Sequence, residues 1–167
     1  MAKALVTGSF DPITRGHFSL IQTASRAFDH VTVCIFVNPD KKYRFSVKER
    51  ISFIEAGIAE LGIDNVTADY SGGYVADYAE EHGIEYVVRG IRTADDMAYE
   101  LEMANYNHAR NPKLETLLWP ATGNVGISST AVRKSLDDGN IPTDMLLSST
   151  VKLICDSLIG AESKATL

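Results

Sequence analysis

The 167-residue chain lacks the marks of several protein classes. Its two cysteines, Cys34 and Cys155, stand at no metal or redox spacing, which excludes a disulfide scaffold and a thiolate-held metal. Cys34 falls in an apolar run and reads as a buried thiol. Five prolines and no triplet period exclude a collagenous fibre. No apolar stretch approaches the roughly 20 residues of a membrane span. No signal-peptide pattern precedes the first apolar segment, so a cytoplasmic protein is expected. Cationic excess is also missing. The net charge of −6 argues against a general nucleic-acid binder, although a local cationic pocket for a phosphorylated small molecule remains open.

What the chain does have is an ordinary globular composition, with 45% apolar and 23% charged residues, enough for one packed core. Without repeats or linkers it reads as a single domain over 1–167, with a helical tail from about 142 to 167. Apolar strands are expected at Lys3–Thr7, Val31–Val37, Val66–Asp69, Glu85–Val88 and Leu114–Trp119. Helices are expected from about Thr14 to Phe28, from Ser46 to Leu61, from Gly73 to His82, from Thr93 to before Asn111-Pro112, from Ser128 to near Gly139, and from Thr150 to Ile159. Several ends are signalled locally: Ser46 with Glu49 is a capping box, Thr93 and Ser128 are N-cap types, and Gly83 suits a left-handed cap. Strands alternating with helices imply an α/β, Rossmann-like five-stranded parallel sheet with helices on both faces. Ligands of such sheets bind beyond the carboxyl ends of the strands, where strand order reverses.

The loops at those ends carry the chemistry. The first reads Gly8-Ser9-Phe10-Asp11-Pro12-Ile13-Thr14-Arg15-Gly16-His17. It has neither a Walker lysine nor G-x-G-x-x-G. It does place a glycine directly after a strand and Thr14-x-Gly16-His17 at a helix start. There free N–H groups and a partial positive charge favour an anion, and His17, in the first turn, can point at it. Arg89-Gly90-Ile91-Arg92, expected just after the fourth strand, offers two permanently charged forks suited to phosphate oxygens. His30, His82 and His108 read as surface or structural residues. Tyr70, Tyr74 and Tyr78 read as packing or a subunit face. Lys48 and Arg50 read as a solvated helix start.

The first loop resembles the G-[ST]-F-D-P-x-[TH]-x-G-H signature of the nucleotidyltransferase superfamily. Arg89-Gly90-Ile91-Arg92 followed by Tyr99-Glu100, Asp40-Lys41-Lys42, and Ile127-Ser128-Ser129-Thr130 resemble the bacterial phosphopantetheine adenylyltransferases. The similarity runs from residue 4 to about residue 145. It implies transfer of AMP from ATP to 4′-phosphopantetheine, giving dephospho-CoA and pyrophosphate. Position by position, it implies that His17 stabilises the transition state and that Ser9 and Phe10 contact the nucleotide, Ser9 touching the acceptor as well. Lys41, Val75 and Arg89 would line the phosphopantetheine side. Gly90, Ile91, Arg92 and Glu100 would belong to the ATP side, and Asn124, Val125, Gly126, Ile127, Ser128, Ser129 and Thr130 would wrap the nucleotide. Mg²⁺ is expected to come with ATP, with no residue acting as a metal ligand, and the resemblance also implies a homohexamer. Three positions depart from the pattern: Ser9 for threonine, Thr7 for proline, and Asn124-Val125-Gly126 where aromatic residues are usual. The rival readings are a sister adenylyltransferase for nicotinate mononucleotide, a cytidylyltransferase for glycerol 3-phosphate, and a non-enzymatic ATP-binding sensor.

Overall fold

A computed structural model describes residues 1–121 and 126–165, without the side chains of 160–165. Five strands and six helices alternate: β1 (Lys3–Gly8), α1 (Arg15–Ala27), β2 (His30–Phe36), α2 (Val47–Glu60), β3 (Val66–Ser71), α3 (Val75–His82), β4 (Tyr86–Ile91), α4 (Ala94–Arg110), β5 (Glu115–Pro120), α5 (Ser129–Asp137) and α6 (Ser148–Ala165). All strand pairings are parallel, in the order β3-β2-β1-β4-β5. Right-handed crossovers therefore send α1 and α2 to one face, as the chain steps from β1 out to β3. They send α3 and α4 to the other, as it returns through β4 to β5.

Side-chain alternation divides the core accordingly. Val6, Val33 and Val88 face Phe18 and Ile21 of α1, Phe53 and Ile54 of α2, and residues of α5 and α6. Leu5, Cys34 and Val87 face Ala76 and Ala79 of α3 on the other side. The tail helix docks on α2, where Ser157 donates to Glu49 at 2.7 Å and Glu60 accepts the Ser149 N–H at 2.7 Å. The capping box at Ser46, the N-caps at Thr93 and Ser128, and the left-handed Gly83 (φ +61°) form as their sequence signals require. No helix among the described residues is long and apolar enough to cross a membrane.

One difference moves chemistry. β4 does not end at Val88 but continues through Arg89, Gly90 and Ile91, which pair with Leu118, Trp119 and Pro120 of β5. The β1–β4 ladder, in contrast, stops at Val6–Val88, while β1 remains paired with β2 up to Gly8. β1 and β4 are unpaired beyond that rung, and this opens the crevice at the reversal of strand order.

Candidate active site

A cavity of about 450 Å³ occupies this crevice, walled by the end of β1, the start of α1, the end of β4, the start of α4, and Trp119 and Ile127. A more open groove of about 620 Å³ between α2 and β3 contains none of the expected site residues.

The β1–α1 loop forms the floor and is held from several sides. Phe10 is 2% exposed and has φ +45°, a left-handed backbone that costs a bulky residue about 1–3 kcal/mol. Its ring lies over Gly8, where an added Cβ would come within 2.9 Å of Phe10 Cζ, so only glycine fits. The Asp11 carboxylate, 2% exposed, accepts the Arg44 and Phe45 N–H groups at 2.9 Å each and so ties this loop to the β2–α2 loop. Arg50 donates to the Ser9 carbonyl at 2.8 Å and stacks 4.2 Å over the Tyr43 ring. Arg133 donates to the Asp11 carbonyl at 2.7 Å, and Ser129 donates to the Pro12 carbonyl at 2.8 Å. The burial of Arg50, 1% exposed, corrects the solvated reading of that residue: α2 packs its first turns beneath the loop, and the guanidinium is the strut between them.

His17 is fixed by its own helix start. The Thr14 N–H donates to His17 Nδ1 at 3.0 Å, and the Thr14 hydroxyl lies 3.0 Å from the same nitrogen. A backbone N–H cannot accept, so Nδ1 carries no proton and the neutral ring keeps its proton on Nε2. Burial above all, then the charges of Arg92 and Arg89, lowers the ring's pKa to about 4. At neutral pH His17 is therefore an uncharged donor in the cavity wall. Phe10 meets it edge-on, with ring centroids 5.2 Å apart.

The two arginines flanking Gly90 differ. Arg89 forms a fork to Glu100 (Nε–Oε2 2.8 Å, Nη2–Oε1 2.6 Å) and also donates from Nη1 to the Thr7 hydroxyl at 2.9 Å and to the Thr7 carbonyl. Four of its five N–H groups are thus committed. The Arg92 guanidinium makes one long contact to Asp96, 3.4 Å, on the exposed start of α4, while the Arg92 backbone N–H donates to the same carboxylate at 3.0 Å.

The cytidylyltransferase-like family model matches residues 5–135. The chain is 35% identical over 159 residues to the phosphopantetheine adenylyltransferase of Clostridium novyi, covering 95% of this chain and 98% of the relative. It is 36% identical over 135 residues to that of Staphylococcus carnosus, covering 81% and 83%. The chain belongs to this family, as a nucleotidyltransferase of the phosphopantetheine adenylyltransferase type. A crystal structure described as that of a candidate nicotinate-nucleotide adenylyltransferase from Vibrio parahaemolyticus matches with a TM-score of 0.71 over 93% of this chain and 99% of that one. At 19% identity it speaks for the fold alone.

For this nucleotidyltransferase the crevice gathers Ser9, Phe10, His17, Arg89, Gly90, Arg92, Glu100 and Ile127 from the expected set. Ser128 follows directly and caps α5 by accepting the Ala131 N–H at 3.1 Å. Ser129 and Thr130 are engaged with Pro12 and Arg133. Ile91 and the exposed Gly126 are not in the wall, and Asn124 and Val125 lie outside the described residues. Lys41 and Val75 are not brought to the cavity either: Lys41 sits on the exposed β2–α2 loop, and Val75 packs against the α3-side core. Sequence reasoning missed Thr7, Asp96 and Trp119, which do line it. The extension of β4 through Gly90, invisible in local patterning, pairs Trp119 with that glycine at the crevice.

Proposed function

We propose that the chain transfers AMP from ATP to 4′-phosphopantetheine, giving dephospho-CoA and pyrophosphate. The observation that carries this is His17, held through Nδ1 with its Nε2–H free in the β1–β4 crevice. The acceptor assignment is supported by the two relatives and by Arg89-Gly90-Ile91-Arg92 with Glu100 in that crevice. An oxygen of the acceptor phosphate attacks the α-phosphorus in line. The bond from the α-phosphorus to the bridging oxygen breaks, and pyrophosphate leaves with the electron pair. A phosphate monoester has its second pKa near 6 and is largely dianionic at pH 7, so the attack needs no general base. This step calls for no Ser or Cys nucleophile, and positioning and charge stabilisation carry the reaction.

In this reading the Nε2–H of His17 donates to the α-phosphate oxygen as charge shifts. Being neutral already, it remains a donor throughout the working pH range. Ser9 and Phe10 place the nucleotide against the loop that Asp11 and Arg50 hold. Arg92 turns from Asp96 to the triphosphate, and Ser128, Ser129 and Thr130 present the α5 start to the leaving group. The remaining N–H of Arg89 serves the acceptor in the crevice, and Lys41 and Val75, which lie outside its wall, would meet only the part of the acceptor that extends beyond it. Magnesium would travel with ATP and neutralise its phosphates. The carboxylates in the crevice wall are Asp96 and Glu100: Glu100 is paired with Arg89, and Asp96 would be released toward the phosphates as Arg92 turns.

A homohexamer is part of the proposal. The 17-residue α4 buries only Glu100 and Asn107 and leaves Met97, Tyr99, Leu101 and Tyr106 exposed, a surface suited to a second copy. The deciding experiment is pyrophosphate release with three acceptors: phosphopantetheine with ATP, nicotinate mononucleotide with ATP, and glycerol 3-phosphate with CTP. Turnover with phosphopantetheine at least about a hundredfold above the others is expected. Preference for either rival acceptor overturns the assignment, and release with none of them favours a sensor.

A further inference from the structure

Trp119 is the chain's single tryptophan. It is the penultimate residue of β5, pairs in register with Gly90, and lies half-buried against the α1-side core. It lines the same cavity as His17, Arg92 and Ile127. Alternation puts it on the face of Leu117, with Gly90 on the face of Val88 and Gly8 on the face of Val6. At the carboxyl end of that face, β1 and β4 therefore present glycines. Phe10 covers Gly8, whereas among the described residues a Cβ at Gly90 would meet only Leu20 Cδ2 within 4 Å, at 3.5 Å. Beside the indole the floor is bare backbone, and Leu20 of α1 closes the far side. The cavity thus sets Leu20, Trp119 and Ile127 together with Arg92, apolar contact beside a cation, which is what an aromatic base with a phosphate tail requires.

We infer that Trp119 is the aromatic platform for the purine ring of the nucleotide, a binding residue of the nucleotide site. The inference rests on the adenylyltransferase reading. It resolves the departure at Asn124-Val125-Gly126: the stacking surface comes from the end of β5 rather than from the segment before Ile127. Stacking tolerates any base, because every base has a π-face, so Trp119 strengthens nucleotide binding without itself selecting adenine.

A lone tryptophan makes the test direct. ATP and AMP titrated into the full-length protein should change its emission, with the midpoint that calorimetry gives for ATP, and tripolyphosphate should leave emission unchanged. Trp119→Leu should weaken ATP about tenfold to a hundredfold, and Trp119→Phe should stay within a few-fold of wild type. Calorimetric ATP binding without an emission change, or an equal change with tripolyphosphate, overturns the inference. So does unchanged ATP affinity in Trp119→Leu or, should that variant fail to fold, a loss in Trp119→Phe as large as that expected for leucine. The two readings separate under pyrophosphate release. A base-dependent emission change without turnover on phosphopantetheine keeps the platform and sinks the acceptor assignment. Turnover with an unchanged ATP KM in Trp119→Leu does the reverse.

Discussion

The two ends of the crevice are built differently. At the β1–α1 end, Asp11, Arg50, Arg133, Thr14 and Arg89 tie the loop to the β2–α2 loop, α2, α5 and β4, so the His17 donor is fixed before any ligand arrives. At the α4 end, the Arg92 guanidinium has one long, local contact, to Asp96. The contrast teaches a division of labour. In the proposed function the chemistry sits where nothing needs to move, which is what electrostatic stabilisation of a transition state requires. Arg92, the cation proposed to gather phosphate, sits where exchanging one partner for another costs little.

The strongest attack on this contrast is Arg89→Ala. It would leave Glu100, whose side chain is 8% exposed, as an uncompensated buried carboxylate. A loss of about 3–5 kcal/mol of stability is expected in denaturant unfolding. Adding Glu100→Gln should recover much of it, and a loss below about 1 kcal/mol would show that Arg89 is not part of the fixed end. His17→Ala should lower kcat about 10²–10³-fold, with ATP affinity and fold little changed. Near-normal turnover in a folded variant would make His17 a packing residue.

The pH behaviour of His17 sharpens that prediction. Its folded pKa, about 4, lies below the ordinary histidine value of 6.5. The stability it contributes is therefore fully present above about 6.5 and is lost as pH falls through about 4. An NMR titration of the free protein should place the ring's midpoint near 4, and a midpoint above 6 would contradict the half-buried, neutral donor. Arg50→Lys comes next in size. It shortens the strut to the Ser9 carbonyl and should cost about 1.5–3 kcal/mol, lowering kcat more than it raises either KM. Unchanged kcat would separate Arg50 from the site. Arg92→Ala has the smallest effect on stability, about 0–1 kcal/mol in the same unfolding measurement. Its ATP KM should nevertheless rise about tenfold to a hundredfold, the value of a lost charged hydrogen bond. A large stability loss with normal ATP binding would invert the contrast between the two ends.

Much of this architecture was legible because its signals are local. Ser46 with Glu49, Thr93 with Asp96, Gly83 and Ser128 each close hydrogen bonds within one turn, and the apolar strands read as buried because both faces are covered. Thr14 and His17 were legible for the same reason. What was illegible depends on partners far away in sequence. Arg50 has the composition of a surface residue, and only the packing of α2 under residues 9–11 buries it. Arg89 and Glu100 read as two ligand contacts, although the fold joins them to each other. Trp119 reads as a strand residue until the β4–β5 register sets it beside Gly90.

The central claim is a single in-line transfer of AMP to the phosphate of phosphopantetheine by a site that forms no covalent intermediate. It is tested most directly by the stereochemical course at the α-phosphorus. ATP made chiral there with one sulfur should be incubated with phosphopantetheine and the protein, and the configuration of the thio-dephospho-CoA determined. One displacement predicts inversion, with one pyrophosphate released per product. Retention, the mark of two displacements through an enzyme-bound nucleotide, would contradict the account.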